Sequence, residues 1–328
     1  MRVLITGAAG MIGRKLAARL AADGQVGGRA IHAVTLTDIV APDVPAGLPA
    51  EAMVGDIAAP GEAERLVASR PDLVFHAAGI VSGEAESDLE KGYRVNIDGS
   101  RLLFDAIRRE GERAPYRPRL VFTSSIAVFG APFPDKIGDE FHLTPLTSYG
   151  AAKAMVELML ADYTRRGFMD GVGIRLPTIC IRPGAPNKAA SGFFSSILRE
   201  PLSGREAVLP VSDDVRAWHA SPRAAVGFLL HAATLDAAAL GARPNLTMPG
   251  LSATVGEQIA ALNRISPSAV KFIRREPDAV IQRIVAGWPR DFDPARALGL
   301  GFRADSSFDE IIRYHIEDEL GGSPSDRR

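Results

Sequence analysis

The chain opens with Arg2-Val3-Leu4-Ile5-Thr6-Gly7-Ala8-Ala9-Gly10-Met11-Ile12-Gly13. The first five residues, rich in branched apolar side chains, read as a strand. Three glycines follow at once, and a run with helical periodicity covers residues 11–22. In a strand–turn–helix of this kind, backbone N–H groups and the positive end of a helix dipole surround a phosphate. Gly7 allows the tight turn, Gly10 lets the backbone approach a pyrophosphate, and Gly13 lets the helix pack on the sheet. A glycine triad outside that context would be a weak signal. Here a second strand-like run, 30–36, leads to Asp38. Gly13 and Asp38 are 25 residues apart, against about 20 in the usual fingerprint, and the glycine-rich turn 23–28 accounts for the excess. A carboxylate there accepts hydrogen bonds from both ribose hydroxyls and repels a 2′-phosphate, which predicts NAD rather than NADP. Asp56, after the third strand, either meets the adenine edge or caps a helix.

The same alternation continues along the first half. Strand-like runs at 2–6, 30–36, 52–54, 73–76, 120–123 and 172–176 alternate with helix-like stretches at 11–22, 62–69, 88–110 and 148–166. That order predicts an α/β fold, a doubly wound parallel (Rossmann) sheet with right-handed crossovers. After residue 177 the pattern loosens into a turn-rich loop and short helices near 193–200, 222–235, 255–264, 279–286 and 308–318. Thr254 with Glu257 and Ser307 with Glu310 have capping-box spacing. The expectation is a nucleotide domain over 1–176 and a smaller C-terminal substrate lobe over 177–320, parts of which return to the sheet. The polar tail 321–328 is expected to fray.

Composition agrees with a folded protein: 46% apolar and 23% charged residues in 328. The net charge of −1 argues against bulk binding to nucleic acid or a membrane surface. A single cysteine, Cys180, makes no intrachain disulfide, fits a cytoplasmic setting and reads as a small core residue. No apolar run reaches the roughly 18 residues of a membrane span, and the strand-like opening predicts no signal peptide. The six histidines lack ligand spacing, so no metal is expected.

Tyr149-Gly150-Ala151-Ala152-Lys153 places a phenol and an ammonium one helical turn apart, on one face. On its own such a pair is common on amphipathic helices. Two further features give it meaning. Ser124 and Ser125 end the fifth strand, where ligands of parallel sheets bind, and His76-Ala77-Ala78-Gly79 ends the fourth with residues small enough for a cofactor to lie against the backbone. Lys153 and a cationic nicotinamide would lower the phenol's pKa, which makes Tyr149 a general base near neutrality. A serine hydroxyl would steady the substrate oxygen.

On these residues the chain resembles the extended short-chain dehydrogenase/reductase family, also called the NAD-dependent epimerase/dehydratase family. The likeness rests on the glycine loop, Asp38, Asp56-Ile57, His76-Ala77-Ala78-Gly79, Asn96 within Val95–Gly99, Ser125, Tyr149 with Lys153, and Phe292–Gly299, and spans nearly the whole chain. Phe129 stands where the family more often has Tyr. The resemblance implies Tyr149 as acid/base, Lys153 on Tyr149 and the nicotinamide ribose, and Ser125 rather than Ser124 on the reacting oxygen. It also implies cofactor contacts from Met11, Ile12, Ile57, Ala77, Ala78, Gly79, Asn96 and Pro177, and a homodimer through two helices. Within the family the chain is most similar to a branch that oxidises the C2 hydroxyl of a small sugar acid. That likeness lies in residues 80–86, 175–178, 182–191 and 221–225.

A small anionic sugar acid needs a cationic or N–H clamp and polar partners for its hydroxyls. Candidates are Ser82, Arg182, Asn187, Lys188, Ser191, Arg216 and Trp218. Arg182 and Arg216 serve equally well in a surface or inter-lobe ion pair. Trp218 and Trp288 are by default packing residues. Ile126 and Ala127 occupy the places where sugar-nucleotide dehydratases carry an acidic pair. Residues 216–222 depart from the epimerase pattern, which weakens a sugar-nucleotide epimerase without removing it. A non-catalytic NAD-sensing regulator would have no use for an activated phenol.

Overall fold

The computed structural model describes residues 1–184 and 191–322. Its two largest sheets share ten strands. These are β1 (Arg2–Thr6), β2 (Ala33–Asp38), β3 (Ala50–Val54), β4 (Leu73–His76), β5 (Arg119–Ser125), β6 (Asp170–Leu176), β7 (Thr178–Ile179), β8 (Arg216–Ala220), β9 (Asn245–Thr247) and β10 (Leu251–Thr254). The large sheet has the order β3-β2-β1-β4-β5-β6-β9, and every neighbouring pair is parallel. The doubly wound fold is therefore as expected. The strand order reverses between β1 and β4, which opens the crevice in which such sheets bind ligands.

Alternating side chains divide between two covered faces. Ile5, Val34, Phe75 and Val121 point toward α1 (Met11–Asp23), with α6 (Pro222–Thr234) on the same side. Leu4, Val74, Leu120 and Phe122 point toward α3 (Gly99–Arg113) and α4 (Ser148–Arg165). Because both faces are covered, the strands read as continuous apolar runs. The lobe packs β7-β8-β10 with α5 (Gly192–Leu202), α7 (Val255–Ile265) and α8 (Phe308–Glu319) around Phe194, Leu198, Leu262 and Ile312. From the later half of the chain, α6 and β9 return to the large sheet; β9 pairs with β6, Leu246 opposite Ile174.

Several boundaries differ from expectation. The second strand begins at Ala33, because Arg29–Ala30 pairs instead with Gln25–Val26 in a small hairpin. A short helix, α2 (Ser82–Ser87), carries no periodic signal. The expected helix over 88–110 is broken. Asp88 accepts from Lys91 N and caps a short helix Leu89–Tyr93, a π-turn follows at Arg94–Asp98, and α3 resumes at Gly99. A π-turn inserts a residue, which a 3.6-residue pattern cannot register. Thr254 and Glu257 form the full capping box. At α8, Ser307 Oγ accepts from Glu310 N, but Glu310 Oε2 accepts from Ser306 N at 2.6 Å, so the reciprocal bond lands one residue early. Of the tail, residues 323–328 lie outside the described residues. Among the described residues no helix is long and apolar enough to cross a membrane.

Candidate active site

The glycine loop sits where β1 meets the β4 end. Gly7 has φ +76°, and a Cβ there would lie 2.6 Å from the Ala77 carbonyl carbon; one on Gly13 would lie 2.2 Å from Gly7 O. No side chain fits at either position without moving backbone, so the loop presents bare peptide at the head of α1. That cradle suits a pyrophosphate. Met11 and Ile12 open α1 half-buried. Asp38 Oδ2 accepts from Ala9 N at 2.9 Å and Oδ1 from Ile39 N at 2.7 Å. Each oxygen keeps a second lone pair, so Asp38 can brace the loop and still accept from hydroxyls.

Asp56 takes the capping geometry: Oδ1 accepts from Ala58 N at 2.9 Å, and Oδ2 pairs with Arg94 at 2.6 Å. Burial alone would raise its pKa, but Arg94 and the Ala58 N–H outweigh it and hold the carboxyl below its ordinary value. Ile57 is buried in the core beneath. Asn96, in the π-turn, is buried and braces the loop after β4. Its Oδ1 accepts from Ile80 N at 2.9 Å and its Nδ2 donates to Ile80 O at 3.2 Å. Gly79 is close by, with Asn96 Oδ1 and Lys153 Nζ nearest to where its Cβ would be. His76 locks this arrangement. Ser100 Oγ donates to Asn96 O, so it must accept from His76 Nε2 (2.9 Å), and His76 Nδ1 accepts from Thr6 Oγ1 (2.7 Å). Burial, with Lys153 adding to it, drops the imidazole pKa to about 3, so the ring stays neutral.

At the end of β5 the two serines part. Ser124 is buried and donates to Glu157 Oε1 at 2.5 Å. Ser125 is half-buried, accepts from Ala127 N at 3.1 Å and lies near enough to the Tyr149 phenol to pull its pKa down. Tyr149 is held there by the start of α4. Thr147 Oγ1 accepts from Gly150 N at 3.1 Å, and Glu86 on α2 accepts from Ser148 N at 2.9 Å. A Cβ at Gly150 would lie 2.1 Å from Ala127 O, so only glycine lets α4 press on the turn after Ser125. One turn on, Lys153 is 4% exposed, donates to Thr123 O at 2.8 Å, and its Nζ is 5.7 Å from the Tyr149 ring centre.

The phenol differs from expectation. Burial raises its pKa above the ordinary value, against the opposing pull of Ser125 and of Arg182. Lys153 is turned onto Thr123 O, and its own pKa is pulled down to about 8 by burial, with Glu157 opposing. In the protein alone, then, Tyr149 is a protonated phenol.

Arg182 is the cation beside it. Nε donates to Ile179 O at 3.1 Å and Nη2 to Ser191 Oγ at 3.1 Å, both neutral acceptors. Burial pulls its pKa down, while Cys180 and Tyr149 work the other way. Among the described residues no carboxylate pairs with it. Arg216 is different: it donates to Ser252 O at 3.0 Å and pairs with Glu257 at 3.3 Å, away from Tyr149's contacts. Trp218 is buried against Phe292, with Nε1 donating to Met248 O, which is a packing role. Cys180 is buried, its thiol pushed up to about 12. Ser82 opens α2 half-buried, and Pro177 is buried directly after β6. Asn187 and Lys188 lie outside the described residues. Sequence reasoning missed Ser100, Glu86, Glu157 and Arg175, whose partners are far away along the chain.

The chain is similar over nearly its whole length to known proteins. The model of the NAD-dependent epimerase/dehydratase family matches residues 3–237. A D-erythronate dehydrogenase of Cupriavidus necator is 44% identical over 97% of this chain and 98% of that one. A D-erythronate dehydrogenase of Haemophilus influenzae is 40% identical over 98% of this chain and all of that one. A crystal structure described as a nucleoside-diphosphate-sugar epimerase from Agrobacterium tumefaciens is 62% identical, with a TM-score of 0.96 over 98% of this chain and 95% of that one.

Proposed function

The chain belongs to the NAD-dependent epimerase/dehydratase family, and from that premise we propose that it oxidises the C2 hydroxyl of a small sugar acid, D-erythronate, to 2-oxo-D-erythronate. The observation that carries the substrate is Arg182: a half-buried guanidinium whose charge reaches Tyr149 and which, among the described residues, meets only neutral acceptors. A partly desolvated cation is costly without a counter-charge, and a substrate carboxylate would supply one.

Backbone of Gly7, Gly10, Met11, Ile12 and Gly13 would hold the cofactor's pyrophosphate, and Asp38 its adenosine ribose. Ile57 would flank the adenine, next to Asp56, whose carboxylate is held by Ala58 N and Arg94. Ala77, Ala78, Gly79, Asn96 and Pro177 would line the path toward the nicotinamide. NAD, when bound, supplies the two-electron oxidant and a positive charge. Ser125 donates a hydrogen bond to the C2 oxygen. Tyr149 Oη accepts the hydroxyl proton as the carbonyl forms. Lys153 then stabilises the phenolate side of that equilibrium, together with the cofactor's charge, against the burial that favours the phenol. Arg182 with Ser191 clamps the carboxylate next to C2, and Ser82, Asn187 and Lys188 are left for the hydroxyls.

The name of the Agrobacterium structure favours a second reading, a sugar-nucleotide epimerase. An absorbance assay at the NADH band separates them. With NAD, D-erythronate should give net NADH and UDP-glucose none. NADH from neither, with UDP-glucose epimerised, would overturn the dehydrogenase reading. A purely NAD-sensing protein would do neither reaction.

Leu89, Tyr93, Met155 and Leu158 are exposed, at 52%, 37%, 41% and 67%, on the helix Leu89–Tyr93 and on α4. A second copy would cover this apolar face as a homodimer. Light scattering should give about twice the chain mass of 34.9 kDa; the monomer mass would count against it.

A further inference from the structure

We propose that Glu157 is a positioning residue of this site: from one helical turn behind Lys153 it supplies the buried negative charge that keeps Lys153 an ammonium near Tyr149, and through Ser124 it fixes the strand end that aims Ser125. The inference rests on the reading of Tyr149 as the base.

Tyr149, Lys153 and Glu157 follow one another at four-residue spacing on α4, so all three share a face. Glu157 is 1% exposed. A carboxylate so deeply buried must be matched by donors, and it is. Ser124 Oγ donates at 2.5 Å, and Arg175 donates from Nε at 2.9 Å and from Nη2 at 2.7 Å. The neighbouring peptide completes the link. Lys153 Nζ donates to Thr123 O, Ser124 donates to Glu157, and the next residue is Ser125. One strand end therefore holds Lys153 by its backbone, Glu157 by its next side chain, and presents the serine by the one after.

A role in stability alone explains this poorly, because an apolar pair of similar size would serve as well or better than a buried ion pair. The groups facing Lys153 make the point. Tyr149 and Glu157 lie on its own helix, and His76, which stays neutral, on β4. Thr123, Ser124 and Ser125 on β5 and Asn96 in the π-turn are uncharged. Arg175 on β6 is turned onto Glu157, and Arg182 lies beyond Tyr149. Among these Glu157 is the group that opposes the loss of the ammonium's proton to burial.

The chain has six lysines, so the side-chain amines can be followed one by one by NMR of lysine-labelled protein, with Lys153→Met assigning the signal. In the wild type Lys153 should titrate near 8. Glu157→Gln should lower that midpoint by about one unit or more. Arg175→Gln, which leaves the carboxylate unopposed, should raise it. With NAD and D-erythronate, the alkaline limb of the kcat profile should move in the same directions, with the KM for NAD within about threefold. An unmoved Lys153 midpoint in either variant, or shifts of the same sign in both, would overturn the proposal. If Glu157→Gln does not fold, the upward shift in Arg175→Gln decides by itself. A wild type with no Tyr149-dependent turnover sinks the dehydrogenase reading, while the lysine titration still judges Glu157. An inactive Tyr149→Phe with an unmoved Lys153 in the Glu157 variant sinks the Glu157 role alone.

Discussion

Tyr149→Phe should lower kcat for D-erythronate oxidation by about 10²- to 10⁴-fold, the range that a positioned general base supplies. The substitution removes one oxygen. The ring, the helix cap at Thr147 and the contact of Gly150 with Ala127 all remain, so the fold should be intact. NAD affinity, measured by fluorescence quenching or calorimetry, should stay within about threefold of wild type, since a lost transition-state interaction lowers kcat and not cofactor binding. The pH profile of the wild type should rise on the acid side as Tyr149 loses its proton and fall on the alkaline side as Lys153 loses its own. Burial raises the phenol, so without cofactor this acid limb would lie above the ordinary tyrosine value. The limb seen in turnover therefore reports how far the bound cofactor's charge brings it down. Turnover like wild type in the Phe variant would remove Tyr149 from the chemistry.

Arg182→Gln should raise the KM for D-erythronate about 30-fold or more, because losing one partner of a desolvated charge pair costs about 2–5 kcal/mol. Glutamine can still donate to Ile179 O or Ser191 Oγ, so the local bonds survive in part. Stability should move the other way from activity. A half-buried cation with no carboxylate partner among the described residues is a burden on the folded state, so the melting temperature should hold or rise. A variant with unchanged KM would show that the carboxylate is held elsewhere, and Lys188 would be the next residue to test. A large fall in melting temperature with no specific loss of substrate affinity would mark Arg182 as structural. The control is Arg216→Gln. Arg216 is already paired with Glu257, so its loss should leave the KM within about threefold.

The chemistry-bearing residues fall into two groups by how far along the chain their reasons lie. Gly7, Gly10, Gly13 and Asp38, with the strand and helix around them, could be read directly, because their spacing along one crossover is itself the constraint. Tyr149 and Lys153 were legible for the same reason: four residues on a helix make one turn, whatever the helix packs against. The doubly wound parallel sheet followed from alternating strands and helices under the right-handed crossover rule. Even the mistaken helix over 88–110 followed local logic, since its apolar spacing continues through the π-turn that Asn96 occupies.

What composition and spacing left open was settled by pairing between distant segments. Arg182 and Arg216 are the same residue type in the same turn-rich lobe, and nothing local tells them apart. Folding brings Glu257 to Arg216 and leaves Arg182 against neutral acceptors beside Tyr149. Ser124 and Ser125 are neighbours, and the fold bonds one to Glu157 and leaves the other facing Tyr149. Asp56 could meet adenine or cap a turn, and Arg94, brought close by the π-turn, drew its carboxylate into an ion pair. Periodicity fixes which face of an element is apolar. It does not say which charged group will meet which, because that depends on burial and on partners that arrive only when the sheet and lobe have closed.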